Sequence, residues 1–355
     1  MNSEHTAKQS TAKKRQSKGK YLFKNTILFT LLFTLVVVVV GAFVRLTDAG
    51  LGCPDWPGCY GKPTPAQAAK EIAQAVAQQG GTHGPVSIQK AWYEMLHRYL
   101  AGVLGFLILG IAVAAWVQRE RLAQSPWLAI ALLALVIFQA ALGMWTVTLL
   151  LKPVIVTMHL LGGMATLALL MWLALRQLHL PVPDSGAARL RPWAALGLVL
   201  LVAQIALGGW VSTNYAALAC IDLPTCHGEW VPKMDFQHGF QLLRELGHTA
   251  AGDKLSYDAL TAIHWTHRVG AVIVTLYLVW LALMAARVAA LRGVVIGIGV
   301  LLAAQVALGI GNIVTGLKLA VAVAHNGGAA LLLMALVVLN FALSPMSHSS
   351  HRPEP

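Results

Sequence analysis

The sequence predicts an all-α membrane protein in which eight transmembrane helices form two pseudo-symmetric four-helix bundles. Of the 355 residues, 57% are hydrophobic and only 11% are charged, whereas an ordinary soluble domain has about 25% charged residues. The apolar residues are gathered into long stretches, and motifs of the first half return in the second half. A soluble enzyme and a disordered protein are therefore excluded.

Each apolar stretch has the length of about 20 residues that a helix needs to cross a bilayer. The alternation of polar and apolar residues that is typical of barrel strands is absent. The predicted spans are 27–46, 91–117, 127–149, 153–175, 193–213, 259–286, 293–317 and 319–343. The first span resembles the apolar part of a signal peptide, but it is long and lacks a small-x-small cleavage site, so we expect it to remain as a helix.

The spans divide the chain into tails, two bundles and a linker. We expect a cytoplasmic N-terminal tail (1–26), an N-terminal four-helix bundle (27–176) with an outer loop (47–90), a cytoplasmic linker (177–192), a C-terminal four-helix bundle (193–343) with an outer loop (214–258), and a cytoplasmic C-terminal tail (344–355).

Basic residues predict the orientation of the spans. The formal net charge is +12, and the Lys and Arg residues are concentrated in the N-terminal tail and in the loops on the same side of the membrane. The short loops on the opposite side contain only Lys152 and Lys318. Because Lys and Arg accumulate in cytoplasmic loops, both termini are expected in the cytoplasm. The positive charge then favours contact with membrane lipid, and no nucleic-acid partner is expected.

All four cysteines lie in the two long outer loops. Cys53 and Cys59 belong to the first loop, and Cys220 and Cys226 belong to the second. Both loops are expected on the non-cytoplasmic side, where disulfides persist. Four cysteines allow three pairings. Closure within each loop is the simplest of them, and free thiols are the alternative.

Matching motifs indicate that the two halves of the chain are related. Residues 138–143 (FQAALG) resemble residues 304–309 (AQVALG), and the segment MHLLGG at 158–163 resembles AHNGG at 324–328. The offset is 166 for these segments, 167 for the cysteines and 170 for the histidines at 97 and 267. Such a near-constant offset indicates a duplicated unit. Each unit has an even number of spans, so both should have the same orientation, with an axis along the membrane normal.

Every second span contains one histidine at a position that the repeat matches. These residues are His97, His159, His267 and His325. Ionisable residues within a membrane are costly and are functional by default. In each half, two histidines are expected at one depth on neighbouring parallel helices. This arrangement suits a haem iron with two axial ligands and predicts two haem sites. Zinc would require three or four ligands, and purely structural histidines are the other alternative.

One residue distinguishes the two halves near these histidines. Glu94 lies one helical turn before His97, whereas its counterpart in the repeat is His264. A carboxylate at a haem edge can relay protons or stabilise developing positive charge. We therefore expect the N-terminal haem to react and the C-terminal haem to transfer electrons. The alternative is that Glu94 only forms an ion pair with Arg98.

Three arginines are candidate partners of the haem propionates, because Arg binds carboxylates through two parallel hydrogen bonds. They are Arg45, Arg98 and Arg268. The alternative is that they only extend towards the membrane interface.

With these residues the sequence resembles the haem A synthase family, integral membrane enzymes that convert haem O to haem A for cytochrome oxidases. The strongest match is the loop motif RLTDAGLGCPDWPGC at 45–59, joined by ExxHR at 94–98 and IHWTHR at 263–268. The resemblance covers essentially all eight spans. Only the tails and the length of the second outer loop lie outside it.

The resemblance implies an oxidoreductase of a bacterial inner membrane that oxidises the C8 methyl group of haem O to a formyl group, through two hydroxylations and loss of water. It implies a haem b cofactor in the C-terminal half. The residues that match the family motifs are the catalytic glutamate Glu94, the substrate-haem ligands His97 and His159, the haem b ligands His267 and His325, and the loop pair Cys53–Cys59. The pair Cys220–Cys226 is not required in every member.

Two questions stay open at this point. Two axial histidines leave no open position on the iron, so either one ligand is displaced or water attacks an oxidised porphyrin while Glu94 acts as base. Haem O synthase, an electron donor and a second copy of the chain are candidate partners. The alternatives to the enzyme are a dihaem b-type cytochrome that only passes electrons and a transporter with histidine proton relays.

Overall fold

The computed structural model of the chain describes residues 2–81, 84–122, 125–178, 183 and 185–345, with side chains from residue 19 onward except at 121 and 185. The end of the predicted C-terminal tail (346–355) lies outside the described residues. The regular structure of the described part is helical. Its α-helices are α1 (Asn2–Leu46), α2 (Ala69–Gln78), α3 (Ile88–Val117), α4 (Arg119–Leu122), α5 (Trp127–Thr148), α6 (Pro153–Leu175), α7 (Arg191–Thr213), α8 (Phe236–Gly239), α9 (Tyr257–Ala285), α10 (Arg292–Val314) and α11 (Leu319–Ala342). Short 3₁₀ helices cover Ser185–Leu190 and Ala289–Leu291.

Eight of these helices are long and apolar enough to cross a membrane, as the sequence predicts. They are α1, α3, α5, α6, α7, α9, α10 and α11. The α6 bounds agree with the predicted span 153–175. The largest difference is in α1, whose helix continues back to Asn2, through the predicted tail.

The helices α3 and α9 begin earlier than their apolar stretches do, because polar residues cap them. The hydroxyl of Ser87 accepts a hydrogen bond from the backbone N–H of Lys90 at 3.1 Å, and Ser256 accepts one from Ala259 at 3.2 Å. A serine at this position satisfies a backbone donor that the first helical turn leaves free. Both helices therefore extend beyond the predicted spans at their N-terminal ends, which follow the outer loops.

The spanning helices pack in the same pattern in both halves. In the N-terminal half, α1 packs against α3, α3 against α5, α5 against α6, and α6 against α1. In the C-terminal half, α7, α9, α10 and α11 form the corresponding ring. Contacts between the halves come from α1, α6, α7 and α11. The order of contacts is the same in both halves, and their division into two bundles of a duplicated unit stays a prediction.

Two contacts between the halves join residues that the repeat makes equivalent. The Arg45 guanidinium donates to the carbonyl oxygen of Ser212 at 2.6 Å, and the Tyr215 hydroxyl donates to Asp48 Oδ1 at 2.8 Å. Both pairs are separated by 167 positions, the offset of the repeat. Residues meet their own counterparts only beside an axis that relates the two units. These contacts support the predicted pseudo-symmetry axis, which stays a prediction.

The main apolar core lies on the side of the histidines that faces away from the outer loops. It begins about one to two helical turns after each histidine, at Leu104, Met164, Val274 and Ala330. The histidines themselves are only partly buried. The four histidines therefore lie between this apolar core and the outer loops.

Candidate functional site

Each of the four predicted histidines packs against a glycine of a neighbouring helix in its own half. The pairs are Gly41–His97, Gly143–His159, Gly208–His267 and Gly309–His325, in which a Cβ added to the glycine would lie 2.9, 3.4, 3.1 and 3.2 Å from Cε1 of the ring. Three of these distances are closer than an ordinary contact between carbons. The glycines therefore provide the space that the imidazole rings occupy.

The rings of His97 and His159 lie within electrostatic range of each other, and so do the rings of His267 and His325. That each pair shares one haem iron stays a prediction. The number of residues between the first residue of the helix and its histidine differs among the four helices. It is larger in α3 and α9 than in α6 and α11, because α3 and α9 begin before their apolar stretches.

Three of these rings have a buried nitrogen without a hydrogen-bond partner among the described residues. The nitrogen is Nδ1 in His97, His159 and His325. A buried polar atom without a partner costs free energy unless a ligand or water satisfies it. Neutral imidazoles in an apolar setting with unmet bonding capacity are suitable ligands for a haem iron.

Amide side chains lie beside the histidines, but not equally in the two halves. In the C-terminal half, Gln204 Nε2 lies 2.9 Å from Nδ1 of His267 and also donates to the carbonyl oxygen of that residue at 2.9 Å. The position that corresponds to Gln204 in the N-terminal half, at the offset of 167, is Val37. His97 has no such amide partner among the described residues.

The first disulfide loop is attached to α3 by Glu94 and Arg98. Glu94 is 4% exposed. Its Oε2 accepts a hydrogen bond from the backbone N–H of Cys53 at 2.9 Å, and its Oε1 pairs with Arg98 Nη2. Arg98 Nη1 donates to the carbonyl oxygens of Asp55 and Gly58. The ion pair of the structural alternative is therefore present, and both carboxylate oxygens are engaged.

The second disulfide loop is attached to α9 in the same way, with His264 in place of the carboxylate. His264 Nδ1 accepts from the backbone N–H of Cys220 at 3.2 Å, so this nitrogen carries no proton. Arg268 Nη1 donates to the carbonyl oxygens of Asp222 and Thr225, both at 2.9 Å. The glutamate and histidine thus occupy equivalent structural positions, which the repeat alignment predicts.

Both loops are closed by a disulfide, Cys53–Cys59 in the first and Cys220–Cys226 in the second. The two cysteine pairs therefore lie within bonding distance in the pairing expected as the simplest. In each loop, one aspartate side chain accepts several hydrogen bonds from groups of the same loop. In the second loop, the backbone N–H of Gly228, the hydroxyl of Thr225 and the N–H of His227 donate to Asp222 and hold its pKa well below the usual range.

The three propionate candidates already have partners within the protein. Arg98 and Arg268 bind loop carbonyl oxygens, as described above. Arg45 binds Ser212, forms an ion pair with Asp48 at 3.3 Å, and stacks over the Tyr215 ring at 4.2 Å from its centroid. Sequence reasoning missed these structural roles. Contact with propionates stays a prediction.

The glycines beside the histidines were also missed as site residues. Gly143 and Gly309 belong to the repeated segments, and Gly41 and Gly208 are separated by the offset of 167. Glycines at repeated positions in spans without ionisable residues would have been the signal. In the described ranges of the chain, no group of three or more His, Cys, Asp or Glu side chains could hold a metal ion.

Comparisons with known proteins identify a family profile and several relatives that match most of the chain. The family profile described as "Cytochrome oxidase assembly protein" matches residues 24–337. A protein named "Heme A synthase" from Shewanella oneidensis is 43% identical over 329 residues, which cover 91% of this chain and 97% of that protein. Proteins of the same name from Chelativorans sp. and Rhizorhabdus wittichii are 31% and 29% identical and cover 89% and 88% of this chain.

Proposed function

This chain belongs to the family of cytochrome oxidase assembly proteins with the heme A synthases, and we propose from this premise that it is an oxidoreductase that forms haem A in a bacterial inner membrane. The proposed substrate is haem O. Its C8 methyl group becomes a formyl group through two successive hydroxylations and loss of water.

The N-terminal pair, His97 and His159, would hold the substrate haem, and the C-terminal pair, His267 and His325, would hold haem b. The observation that supports this assignment is the repeated packing of each ring against a glycine, together with the electrostatic proximity of the two rings in each half. Bound haem supplies an iron centre that exchanges single electrons. The protein contributes the ring positions and an apolar floor that excludes water from below.

Glu94 gives the N-terminal half a negative charge that His264 cannot supply to the C-terminal half. In the proposed reaction this carboxylate accepts a proton or stabilises positive charge near the substrate. Its hydrogen bond from Cys53 and its pair with Arg98 hold the carboxylate one turn from His97. The N-terminal half is therefore proposed as the reacting site and the C-terminal half as the electron-transfer site.

The chain itself offers a substitution that separates the charge of Glu94 from its structural role. In Glu94→His, the imidazole can accept the Cys53 hydrogen bond as His264 accepts the Cys220 bond. We expect this variant to retain the haem spectrum, to melt at a lower temperature because the buried ion pair with Arg98 is lost, and to produce no haem A. The matched reverse variant, His264→Glu, should leave product formation in place. Wild-type yields of haem A from Glu94→His would contradict a chemical role for the carboxylate.

Chromatography of the haems extracted from purified protein tests the function itself. We expect haem B together with haem O, haem A or a hydroxylated intermediate. Replacement of His267 or His325 by Ala should remove the low-spin haem b spectrum. A purified protein that contains only haem B at both sites, and forms no modified haem when supplied with haem O, would instead indicate the dihaem cytochrome.

The arrangement in the membrane also belongs to the proposal. Both termini would be cytoplasmic, and haem O synthase, an electron donor and a second copy of the chain would be partners. Two separate variants, Ser10→Cys in the N-terminal tail and Thr82→Cys in the first outer loop, test this orientation by cysteine labelling. The labelling shows which of the two positions faces the outside of the membrane. A membrane-impermeant reagent should label only the position in the first outer loop of intact cells.

A further inference from the structure

The second outer loop contains a cavity that no part of the proposed reaction uses. Its volume is about 480 Å³. It lies between the α5–α6 turn, represented by Lys152, and the loop residues Arg244, Glu245, His248 and Thr249.

Arg244 is the central charged group of this cavity. It is only 4% exposed. Its guanidinium stacks over Trp210 at 5.7 Å from the ring centroid and binds Asn214 and the backbone carbonyl oxygen of His248. Burial lowers the pKa of this guanidinium, but an arginine stays protonated at neutral pH. A buried positive charge is therefore held here by neutral groups.

The charge of Arg244 is not compensated by a carboxylate within the part of the chain that the structure describes. The nearest acidic side chain in the cavity, Glu245, pairs instead with Lys152 at 2.8 Å. Two positive groups and one negative group leave one positive charge in the cavity. Buried charges in proteins are normally paired, so the cavity lacks one negative partner.

Two of the residues that line the cavity, Arg244 and Thr249, carry hydrogen-bond donors that lie beneath its surface. Arg244 Nε and the Thr249 hydroxyl are both buried without a partner among the described residues. A guanidinium edge and a hydroxyl are donors typical of oxyanion sites, because they bind the oxygens of a phosphate or carboxylate. Both the hydrogen-bond donors without a partner and the uncompensated positive charge therefore indicate an oxyanion as the ligand.

The rim of the cavity indicates where the anion comes from. Leu243 lines the cavity and is 86% exposed, and its neighbour Leu242 is 59% exposed. The cavity also contacts Val154 at the start of the spanning helix α6, which places it at the outer membrane surface. Exposed apolar side chains beside basic groups are typical of segments that insert into a lipid headgroup layer.

We propose that this cavity binds the phosphate oxyanion of a phospholipid headgroup in the outer leaflet, with Arg244, Thr249 and Lys152 as its ligands. Leu242 and Leu243 then insert among the acyl chains. The bound lipid supplies the negative charge that the cavity lacks. This inference is independent of the proposed haem chemistry, but its assignment to the outer leaflet rests on the proposed orientation of the chain.

Native mass spectrometry of the delipidated full-length protein tests the proposal. The protein in detergent is titrated with dioctanoyl phosphatidylglycerol, with dioctanoylglycerol, which has no phosphate, and with inorganic phosphate. We expect one tightly bound phosphatidylglycerol and no retained dioctanoylglycerol. Loss of a hydrogen bond to a charged group weakens binding by about tenfold or more. Arg244→Lys and Thr249→Val should each show a loss of this size.

The matched control is Lys233→Gln. Lys233 lies in the same loop, is 89% exposed in its side chain and pairs with Asp258 outside the cavity. This variant should bind phosphatidylglycerol as the wild type does. Thr249→Val keeps the test valid if Arg244→Lys melts at a lower temperature, because it removes only a hydroxyl. Equal retention by all variants, equal binding of dioctanoylglycerol, or tight binding of inorganic phosphate without the lipid would each overturn the proposal.

Discussion

Glu94 and His264 show how one position can serve two halves that differ chemically. Both side chains accept a hydrogen bond from the first cysteine of a disulfide loop, at 2.9 and 3.2 Å. Either residue meets the requirement for an acceptor at this position. The negative charge of Glu94 additionally pairs with Arg98, a contact that a neutral His264 does not reproduce, and the comparison with His264 provides the control by which the role of this charge is measured.

The glycines beside the histidines give a direct prediction for the C-terminal site. In Gly208→Ala, the new methyl group would lie 3.1 Å from Cε1 of His267 and should displace the ring. Overpacking of this kind costs about 1–3 kcal/mol. We expect loss of the low-spin haem b absorbance, measured by difference spectroscopy of the purified protein.

A second glycine provides the control for this substitution. A Cβ at Gly297 of α10 meets no atom within 4 Å. Gly297→Ala should therefore keep the haem spectrum, and it should also favour the helix by about 1 kcal/mol. An unchanged spectrum in Gly208→Ala would show that this glycine does not position His267.

The amide of Gln204 predicts that the two haem sites respond differently. Gln204→Leu removes both contacts that hold His267, at 2.9 Å each. Loss of such a supporting partner typically weakens binding by about 10- to 100-fold. We expect weaker retention of the C-terminal haem against apomyoglobin as competitor, with the N-terminal site unchanged.

Asn340→Leu is the matched control for the amide. It removes another amide within the membrane, which binds the carbonyl oxygen of Ala194 at 3.1 Å, away from the histidines. Equal haem loss in both variants would indicate a general loss of stability and would exclude a specific role for Gln204.

At the scale of helices and loops, hydropathy predicts the existence of every span but not each of its ends. Ser87 and Ser256 are polar, so an apolar window excludes them, although they cap α3 and α9. The span predicted to 317 ends at Val314, because Gly316 and Leu317 have positive φ values of 63°. The loops between the spans also contain the short helices α2 (Ala69–Gln78) and α8 (Phe236–Gly239), which hydropathy does not reveal.

For the site, too, the sequence predicts some features and not others. The repeat offset pairs the histidines, the cysteines, and Glu94 with His264. It does not reveal that Arg98 and Arg268 bind loop carbonyl oxygens, because a guanidinium at the membrane surface can bind a propionate or a peptide group equally well. Only the path of the loop backbone decides between these partners.

The second disulfide loop can be tested as an element. Cys220→Ser with Cys226→Ser removes a closed loop with a sequence separation of 6, which is worth about 2 kcal/mol in the chain-entropy description. We expect a lower midpoint of thermal unfolding and a weaker His267 haem signal, since Arg268 loses its fixed carbonyl partners. A wild-type midpoint in the double variant would contradict this expectation.

At the scale of the whole molecule, Arg45 and Tyr215 connect the two bundles at their outer ends. A double-mutant cycle of Arg45→Gln and Tyr215→Leu measures their stacking, whose centroid distance is 4.2 Å. We expect a coupling of about 1 kcal/mol in thermal unfolding. Tyr215→Phe keeps the ring and removes only the bond to Asp48, so it should retain most of this coupling. Additive effects of Arg45→Gln and Tyr215→Leu would indicate that the contact does not connect the halves.

The meeting of Arg45 with Ser212, and of Asp48 with Tyr215, has an evolutionary consequence. In an ancestor made of two identical half-length chains, a side chain beside the two-fold axis faces its own copy. Arginine would then face arginine, and aspartate would face aspartate, with like charges in contact. Fusion of two gene copies removes this constraint, because each position can mutate alone. The unlike partners of Arg45 and Asp48 fit two units that have changed independently.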